Sequence, residues 1–320
     1  MNKAAASPLY RGRFAPSPTG SLHFGSLVAA LASCLEARAR GGEWRVRMED
    51  VDAPRNVPGA AESILVCLEA HGFAWDGPVR WQSTRRDAYQ AVLEQLLAAG
   101  LAYPCCCSRK EIAERAGHAA LDGGLLYPGT CREGLPPGRT PRAWRLRVEN
   151  PAGGALEFQD RLQGPQAQQL ERDVGDFVLL RADGQFAYQL AVVVDDAEQG
   201  VTDVVRGADL LDSTPRQIFL QRCLGYAEPV YAHLPVATHA SGEKLSKQTR
   251  APALVAERAA QNLVAALDFL GQSPPAELAG ARVGEVWAWA REYWDFARIP
   301  RCRGRVWKAG SGGPDPVAAG

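Results

Sequence analysis

The first fifty residues combine two short strand patterns with one long helical pattern. Residues 9–15 predict a strand that runs into a loop rich in proline and glycine. Apolar residues recur at helical spacing over 27–35, and the glycine pair 41–42 ends that helix. Residues 44–48 alternate as a second strand, which ends at Glu49. This order predicts a βαβ unit and a parallel sheet, with ligands beyond the carboxyl ends of its strands.

Further elements follow from the same patterns. Helical periodicity covers 59–71 and 86–99. The apolar run 187–195 predicts a buried parallel strand that rejoins the sheet, and 201–206 predicts another short strand. Thr214, followed by proline, is typical of a helix start, with the threonine as N-cap.

The middle of the chain has a different character, with clustered cysteines, loops rich in glycine and proline, and short alternating segments. We interpret it as an α+β insert. The predicted fold is α/β: a Rossmann-type domain with a parallel sheet, this insert and a short C-terminal helical region. The expected boundaries are 1–100 for the first half of the main domain, 101–186 for the insert, 187–250 for the second half, 251–308 for the helical region and 309–320 for a disordered tail.

Composition and charge limit the ways in which the protein could bind nucleic acid and argue against a membrane or secreted protein. Apolar residues make up 46% of the 320 residues, and the formal net charge is zero. A nucleic-acid partner would therefore meet a local basic patch rather than a basic molecule. No apolar run reaches the roughly 18–20 residues of a membrane span. The N-terminus lacks the apolar core of a signal peptide, so we expect a cytoplasmic protein.

The loop before the first helix carries candidate phosphate-binding chemistry. Gly20 and Gly25 allow close backbone approach, His23 supplies a donor, and a helix N-terminus attracts anions. Taken alone, this loop also fits a plain turn. Lys244 and Lys247 of a distant Lys-Leu-Ser-Lys segment equally fit solvated surface.

Four of the eight cysteines lie between 105 and 131, which favours a metal site in a cytosolic chain. A structural zinc ion takes four ligands. Cys105, Cys107 and Cys131 are candidates, with Cys106, His118 or a tyrosine as the fourth. Free buried thiols remain the alternative interpretation.

The loop and the lysine segment together resemble the signatures of class I aminoacyl-tRNA synthetases. The His-Ile-Gly-His motif corresponds to residues 22–26, Leu-His-Phe-Gly-Ser, and the Lys-Met-Ser-Lys-Ser motif to residues 244–248, Lys-Leu-Ser-Lys-Gln. Ser26 replaces the second histidine, and Leu245 and Gln248 also depart from the pattern. Residues 13–20, Arg-Phe-Ala-Pro-Ser-Pro-Thr-Gly, are similar to the glutamyl and glutaminyl branch.

The resemblance implies ATP binding and an amino-acid pocket. His23, Gly25, Lys244 and Lys247 are expected at ATP. A glutamate substrate needs cationic groups for two carboxylates and an anion for its ammonium group. The implied glutamate-binding residues are Arg13, Phe14, Ala15, Pro16, Ser17, Glu49, Tyr188 and Arg206. We interpret Asp195 and Asp196 as strand-end caps outside the site.

The glutamyl-Q branch of this family carries Cys-x-Cys followed by Tyr-x-x-x-Cys, with zinc held by three cysteines and the tyrosine. Here the resemblance implies Cys105, Cys107, Tyr127 and Cys131 as ligands of one structural Zn²⁺.

The chain resembles that branch from about residue 11 to 270, and too few residues follow Lys247 for a large anticodon-reading domain. The implied reaction is glutamate activation by ATP with Mg²⁺, then transfer to queuosine at the wobble position of tRNA(Asp). We expect a monomer without membrane attachment. The alternatives are a short glutamyl-tRNA synthetase that charges a terminal adenosine, or a non-catalytic module that binds glutamate or RNA.

Overall fold

The protein is described by a computed structural model, which covers residues 9–115, 125–149, 154–239 and 252–307. Its strands are β1 (Arg11–Phe14), β2 (Glu43–Met48), β3 (Arg80–Trp81), β4 (Ala102–Cys105), β5 (Ala143–Leu146), β6 (Leu156–Asp160), β7 (Gly164–Gln168), β8 (Val178–Leu180), β9 (Asp203–Gly207), β10 (Val230–Leu234), β11 (Val236–Thr238) and β12 (Gly304–Val306). Its α-helices are α1 (Phe24–Ala39), α2 (Ala60–Ala70), α3 (Arg86–Ala98), α4 (Arg109–Arg115), α5 (Leu170–Asp173), α6 (Tyr188–Glu198), α7 (Thr214–Leu224), α8 (Ala259–Phe269) and α9 (Val283–Tyr293).

The predicted βαβ unit is confirmed. β1 and β2 pair in parallel, with Arg13 opposite Arg45, and α1 connects them. Helix α1 is apolar on nearly every face because it packs between β1, β2 and β9 on one side and α8 and α9 on the other. Gly42 is required where the chain enters β2, because a Cβ there would collide with the Tyr10 carbonyl oxygen.

Two parallel arrays lie edge to edge. The first has the order β1-β2-β3 and the second β7-β6-β10-β9, in which β7 alone is antiparallel. They meet where β1 contacts β9, and the backbone N–H of Thr202 donates to the Arg11 carbonyl at 3.0 Å. The carboxyl ends of β1, β2 and β9 therefore lie at the same edge, where ligands bind in open parallel sheets.

The predicted strand over 187–195 is wrong. These residues belong to helix α6, which packs between α3 and α7. Leu190 to Val194 are all buried, so the segment lacks the polar face that distinguishes an amphipathic helix from a buried strand. The rejoining strands are β9, as predicted from 201–206, and β10.

The segment 101–186 contributes to two sheets. β4, β5 and β8 form an antiparallel sheet of α+β character, whereas β6 pairs in parallel with β10 of the main array. The helical predictions over 59–71 and 86–99 are confirmed within one or two residues. The prediction of Thr214 as N-cap is wrong: Ser213 precedes α7 as its N-cap, and the Thr214 hydroxyl instead contacts Arg206 and the Leu210 carbonyl. None of the described helices combines the length and apolar character that a membrane span requires.

Candidate active site

A cavity of about 720 Å³ opens at the shared edge of β1, β2 and β9, beside the N-termini of α1 and α6. It brings together every predicted ATP or glutamate residue that lies in the described ranges: Arg13, Phe14, Ala15, Pro16, Ser17, His23, Gly25, Glu49, Tyr188 and Arg206. Residues from four separate parts of the chain thus line a single cavity.

His23 caps helix α1 at the mouth of this cavity. Its backbone is extended, with φ −125° and ψ 173°, and its side chain accepts from the backbone N–H of Ser26. Its other ring nitrogen lies 3.2 Å from the Ser26 hydroxyl. The first turn of α1 contains no acidic residue, so its N-terminus keeps its attraction for anions.

A buried charge cluster forms the floor between β1, β2 and α6. The Arg13 guanidinium donates to both oxygens of Asp196, at 3.2 and 3.4 Å. Arg47 is fully buried and donates to Asp196 at 2.7 Å, to Gln199 at 2.8 Å and to Glu49 at 3.2 Å. Two arginines thus face two carboxylates in this cluster.

Burial acts differently on the two carboxylates of this cluster. Burial raises the pKa of Glu49, and Arg47 and Arg13 offset only part of that effect. Burial also opposes ionisation of Asp196, but Arg13 and Arg47 outweigh it and lower its pKa. The interpretation of Asp195 and Asp196 as strand-end caps is wrong, because both lie within helix α6 and the Asp196 carboxylate is the counter-charge of both arginines.

Arg206 differs from Arg13 because its partners are neutral. It is buried, and its Nη2 donates to the Thr214 hydroxyl at 2.8 Å. Its Nη1 lies 3.5 Å from the Tyr188 hydroxyl. Within the described residues it forms no ion pair with a carboxylate. A buried guanidinium of this kind favours an anionic ligand.

Lys244 and Lys247 lie outside the described residues. The chain on both sides of their segment reaches the cavity. Before it, Val236 and Ala237 line the cavity wall. After it, Ala253 bridges to His23, and the backbone N–H of Leu254 donates to the Leu22 carbonyl at 3.0 Å.

A second candidate site lies in the 101–186 segment. The sulfurs of Cys105, Cys107 and Cys131 all lie within 4.8 Å of one another. The Tyr127 hydroxyl is 3.4 Å from the Cys105 sulfur and 3.8 Å from that of Cys107. A tetrahedral zinc ion about 2.3 Å from each sulfur needs ligand atoms about 3.8 Å apart. These four side chains therefore fit a zinc ion. Cys106 approaches only the Cys131 sulfur, at 3.7 Å, and His118 lies outside the described residues.

Burial and hydrogen bonds with the Cys105 and Cys131 thiols raise the pKa of Tyr127, whereas two other contacts stabilise negative charge on its oxygen. The backbone N–H of Cys131 donates to the phenolic oxygen at 2.9 Å. The guanidinium of Arg145 stacks over the ring, 3.9 Å from its centroid. Both contacts suit a phenolate that binds a metal.

Sequence reasoning missed Arg47 and the pair Asp160–His233, which lies behind Arg206. Arg47 stands in an alternating strand, where an inward-facing arginine looks like any solvent-facing one. His233 interrupts the apolar residues of β10, and a buried polar residue in such a strand is the signal that points to it.

Comparisons with known proteins agree with this geometry. Residues 10–263 match the family model described as tRNA synthetases class I (E and Q), catalytic domain. The glutamyl-Q tRNA(Asp) synthetase of Dechloromonas aromatica (strain RCB) is 68% identical over 91% of this chain and 96% of that protein. The protein of the same name from Aromatoleum aromaticum is 60% identical over 92% of each chain. The crystal structure of glutamate-tRNA synthetase from Elizabethkingia anophelis superposes with a TM-score of 0.78 at 26% identity, over 95% of this chain and 69% of that one.

Proposed function

The chain belongs to the class I tRNA synthetases for glutamate and glutamine, a family of ligases, and we propose that it activates glutamate with ATP and transfers the glutamyl group to queuosine of tRNA(Asp). The observation that carries the proposal is the cavity itself. It combines an anion-attracting helix N-terminus with a buried arginine whose partners among the described residues are neutral and with a buried carboxylate.

ATP would place its phosphates at the N-terminus of α1, beside His23 and Gly25. Lys244 and Lys247 would approach from the segment whose two ends meet the cavity. Mg²⁺ arriving with ATP would neutralise part of the phosphate charge. Positive groups that counter charge as it develops on the phosphates are the main catalytic contribution in such a site.

Glutamate would bind between Arg206, Tyr188 and Glu49. Arg206 is the better receptor for a carboxylate, because Arg13 already shares Asp196. Arg13 would attract the substrate carboxylates more weakly, because Asp196 neutralises part of its charge. Glu49, opposite them, would pair with the substrate ammonium group.

The chemistry needs no nucleophilic side chain. A carboxylate oxygen of glutamate attacks the α-phosphorus of ATP, the bond to pyrophosphate breaks, and glutamyl-adenylate forms. A queuosine hydroxyl then attacks the glutamyl carbonyl, AMP leaves and an ester bond forms. The protein contributes by holding the reacting atoms in place and by electrostatic stabilisation.

Cys105, Cys107, Tyr127 and Cys131 would hold one structural Zn²⁺. The ion would tie the strand end at Cys105 to the loop that carries Tyr127 and Cys131, which are 22 or more positions away in sequence. In a closed four-ligand site the metal contributes folding free energy rather than catalysis.

Amino-acid-dependent exchange of pyrophosphate into ATP tests the activation step. Glutamate should support exchange, whereas glutamine, which has the same shape but one carboxylate fewer, should not. His23→Ala and Lys247→Ala should each reduce the rate by at least 100-fold without a change in the folded content. Exchange that is independent of glutamate, or full rates in both variants, would contradict the proposed activation site.

A further inference from the structure

Arg206 has a histidine neighbour on the adjacent strand. β9 and β10 pair in parallel with Arg206 directly opposite His233, and both side chains are buried. The Arg206 Nε–H donates to His233 Nε2 at 3.1 Å. His233 does not line the cavity, so it reaches a ligand only through Arg206.

Asp160 fixes which nitrogen of His233 carries the proton. Its Oδ2 lies 2.6 Å from His233 Nδ1, and a carboxylate so close requires the proton on Nδ1. Nε2 is then bare and accepts from Arg206. Burial lowers the pKa of His233 to about 4, aided by Arg206 and opposed by Asp160, so the ring is neutral near pH 7.

The orientation of Arg206 follows from these bonds. His233 holds its Nε–H, and Thr214 and the Leu210 carbonyl hold Nη2 at 2.8 and 3.5 Å. Nη1 remains on the side of Tyr188. The guanidinium is thus held along one edge by neutral acceptors, and no carboxylate of the described residues forms an ion pair with it.

We propose that Asp160 and His233 are positioning residues that hold Arg206 as a carboxylate receptor and thereby set the affinity for glutamate. The inference rests on the proposed function, since it takes Arg206 as a group that binds glutamate. A carboxylate in direct contact with Arg206 would also orient it but would compete with the substrate. The neutral His233, which lies between Asp160 and Arg206, orients the guanidinium without competing with the substrate carboxylate for its charge.

Asp160→Asn is the sharpest test because it leaves the nearby turn intact. The Asp160 Oδ1 accepts from the backbone N–H groups of Leu162, Gln163 and His233, at 3.0, 2.8 and 3.2 Å. These three donors keep the amide oxygen of the asparagine in place, so its NH₂ group faces His233 Nδ1. The ring must then carry its proton on Nε2. That nitrogen can donate to the Thr214 hydroxyl, 3.1 Å away, but it can no longer accept from the Arg206 Nε–H.

Asp160→Asn should raise the KM for glutamate in pyrophosphate exchange at least 30-fold, with the KM for ATP within threefold of wild type. Adding His233→Gln places an amide oxygen near the former Nε2 position. The double variant should therefore recover most of the lost affinity, which a purely structural role of Asp160 does not predict.

Asp195→Asn is the matched control. Asp195 is equally buried and accepts from Gln82 and Tyr89, but it does not line the cavity. The Asp195→Asn variant should have a lower melting temperature than wild type, but its KM for glutamate should stay within threefold of the wild-type value.

The outcomes separate the two proposals. Absence of glutamate-dependent exchange in the wild type overturns the proposed function itself. With an active wild type, three results overturn the positioning role: an unchanged KM in Asp160→Asn, an equal rise in the KM values for ATP and glutamate, or a double variant no better than the single one.

Discussion

Glu49 shows at the scale of one residue how binding opposes folding. Its carboxylate is buried at the cavity wall, and burial raises its pKa despite Arg47 and Arg13. An acid whose pKa is higher in the folded chain than in the unfolded chain destabilises the fold in its ionised form. The protein keeps this carboxylate where a substrate ammonium group would compensate it.

Glu49→Gln should therefore separate affinity from stability. We expect the KM for glutamate to rise at least tenfold, because the ammonium group loses its anion. The free energy of unfolding at pH 8 should stay equal or increase, since the ionised carboxylate no longer needs to be buried. Exchange kinetics and urea denaturation measure the two quantities. A variant that is less stable at pH 8 but binds glutamate normally contradicts this role.

The same pKa shift predicts a pH dependence. As the pH falls through the raised pKa of Glu49, the side chain takes up a proton and the KM for glutamate should rise. The rise should begin at a higher pH than an ordinary glutamate, near 4.5, would give. It should be absent in Glu49→Gln.

Helix α6 carries the ion cluster at the scale of secondary-structure elements. Asp196 joins α6 to β1 through Arg13 and to β2 through Arg47, so one carboxylate links three elements. Unlike Glu49, Asp196 has a lowered pKa, so the cluster stabilises its ionised form. Removing such a partner from a buried ion cluster typically costs about 3–5 kcal/mol, because the remaining charges stay buried.

Asp196→Asn should lower the free energy of unfolding at pH 7 by about 3 kcal/mol or more. Glu198→Gln on the same helix is the control. Its carboxylate is exposed and pairs with Arg80 and Arg85, so its loss should cost under about 1 kcal/mol. Because the Asp196 pKa is lowered by folding, its stabilisation is present above the unfolded pKa. The difference from wild type should shrink as the pH falls through the lowered pKa. Equal costs in the two variants at pH 7 would contradict the cluster.

The cysteine cluster is the second feature at this scale. We expect about one zinc per chain by elemental analysis, as one closed four-ligand site requires. Cys107→Ser and Tyr127→Phe should reduce the zinc content and lower the melting temperature. Cys302→Ser lies outside the cluster and should do neither. Zinc content below about a tenth of an equivalent in the wild type would reject the metal assignment.

At the scale of the whole molecule, the sequence predicts the elements that have a clear hydrophobic period and the residues that belong to recognisable motifs. The βαβ unit and the helices over 59–71 and 86–99 are confirmed. Arg13, Glu49, Tyr188 and Arg206 line one cavity, and their roles there stay predictions. Helix α6 was predicted as a strand because a segment buried on all faces loses its helical period. Arg47 and His233 were missed because only tertiary packing decides that their strands bury a polar side chain.

The roles of the site residues, the zinc ion and the domain limits stay predictions. They depend on ligands and on the segment that holds Lys244 and Lys247, which lies outside the described residues. The function of the whole molecule depends on which hydroxyl receives glutamate, that of queuosine or that of the terminal adenosine.

The most direct measurement is transfer of labelled glutamate to purified tRNA(Asp) with and without queuosine, alongside tRNA(Glu). We expect labelling of queuosine-bearing tRNA(Asp) alone, and this labelling should persist when the terminal adenosine is removed from the tRNA before the reaction. Labelling of tRNA(Glu), or labelling that is lost when the terminal adenosine is removed, would instead identify an enzyme that charges the terminal adenosine and would contradict the proposed transfer to queuosine.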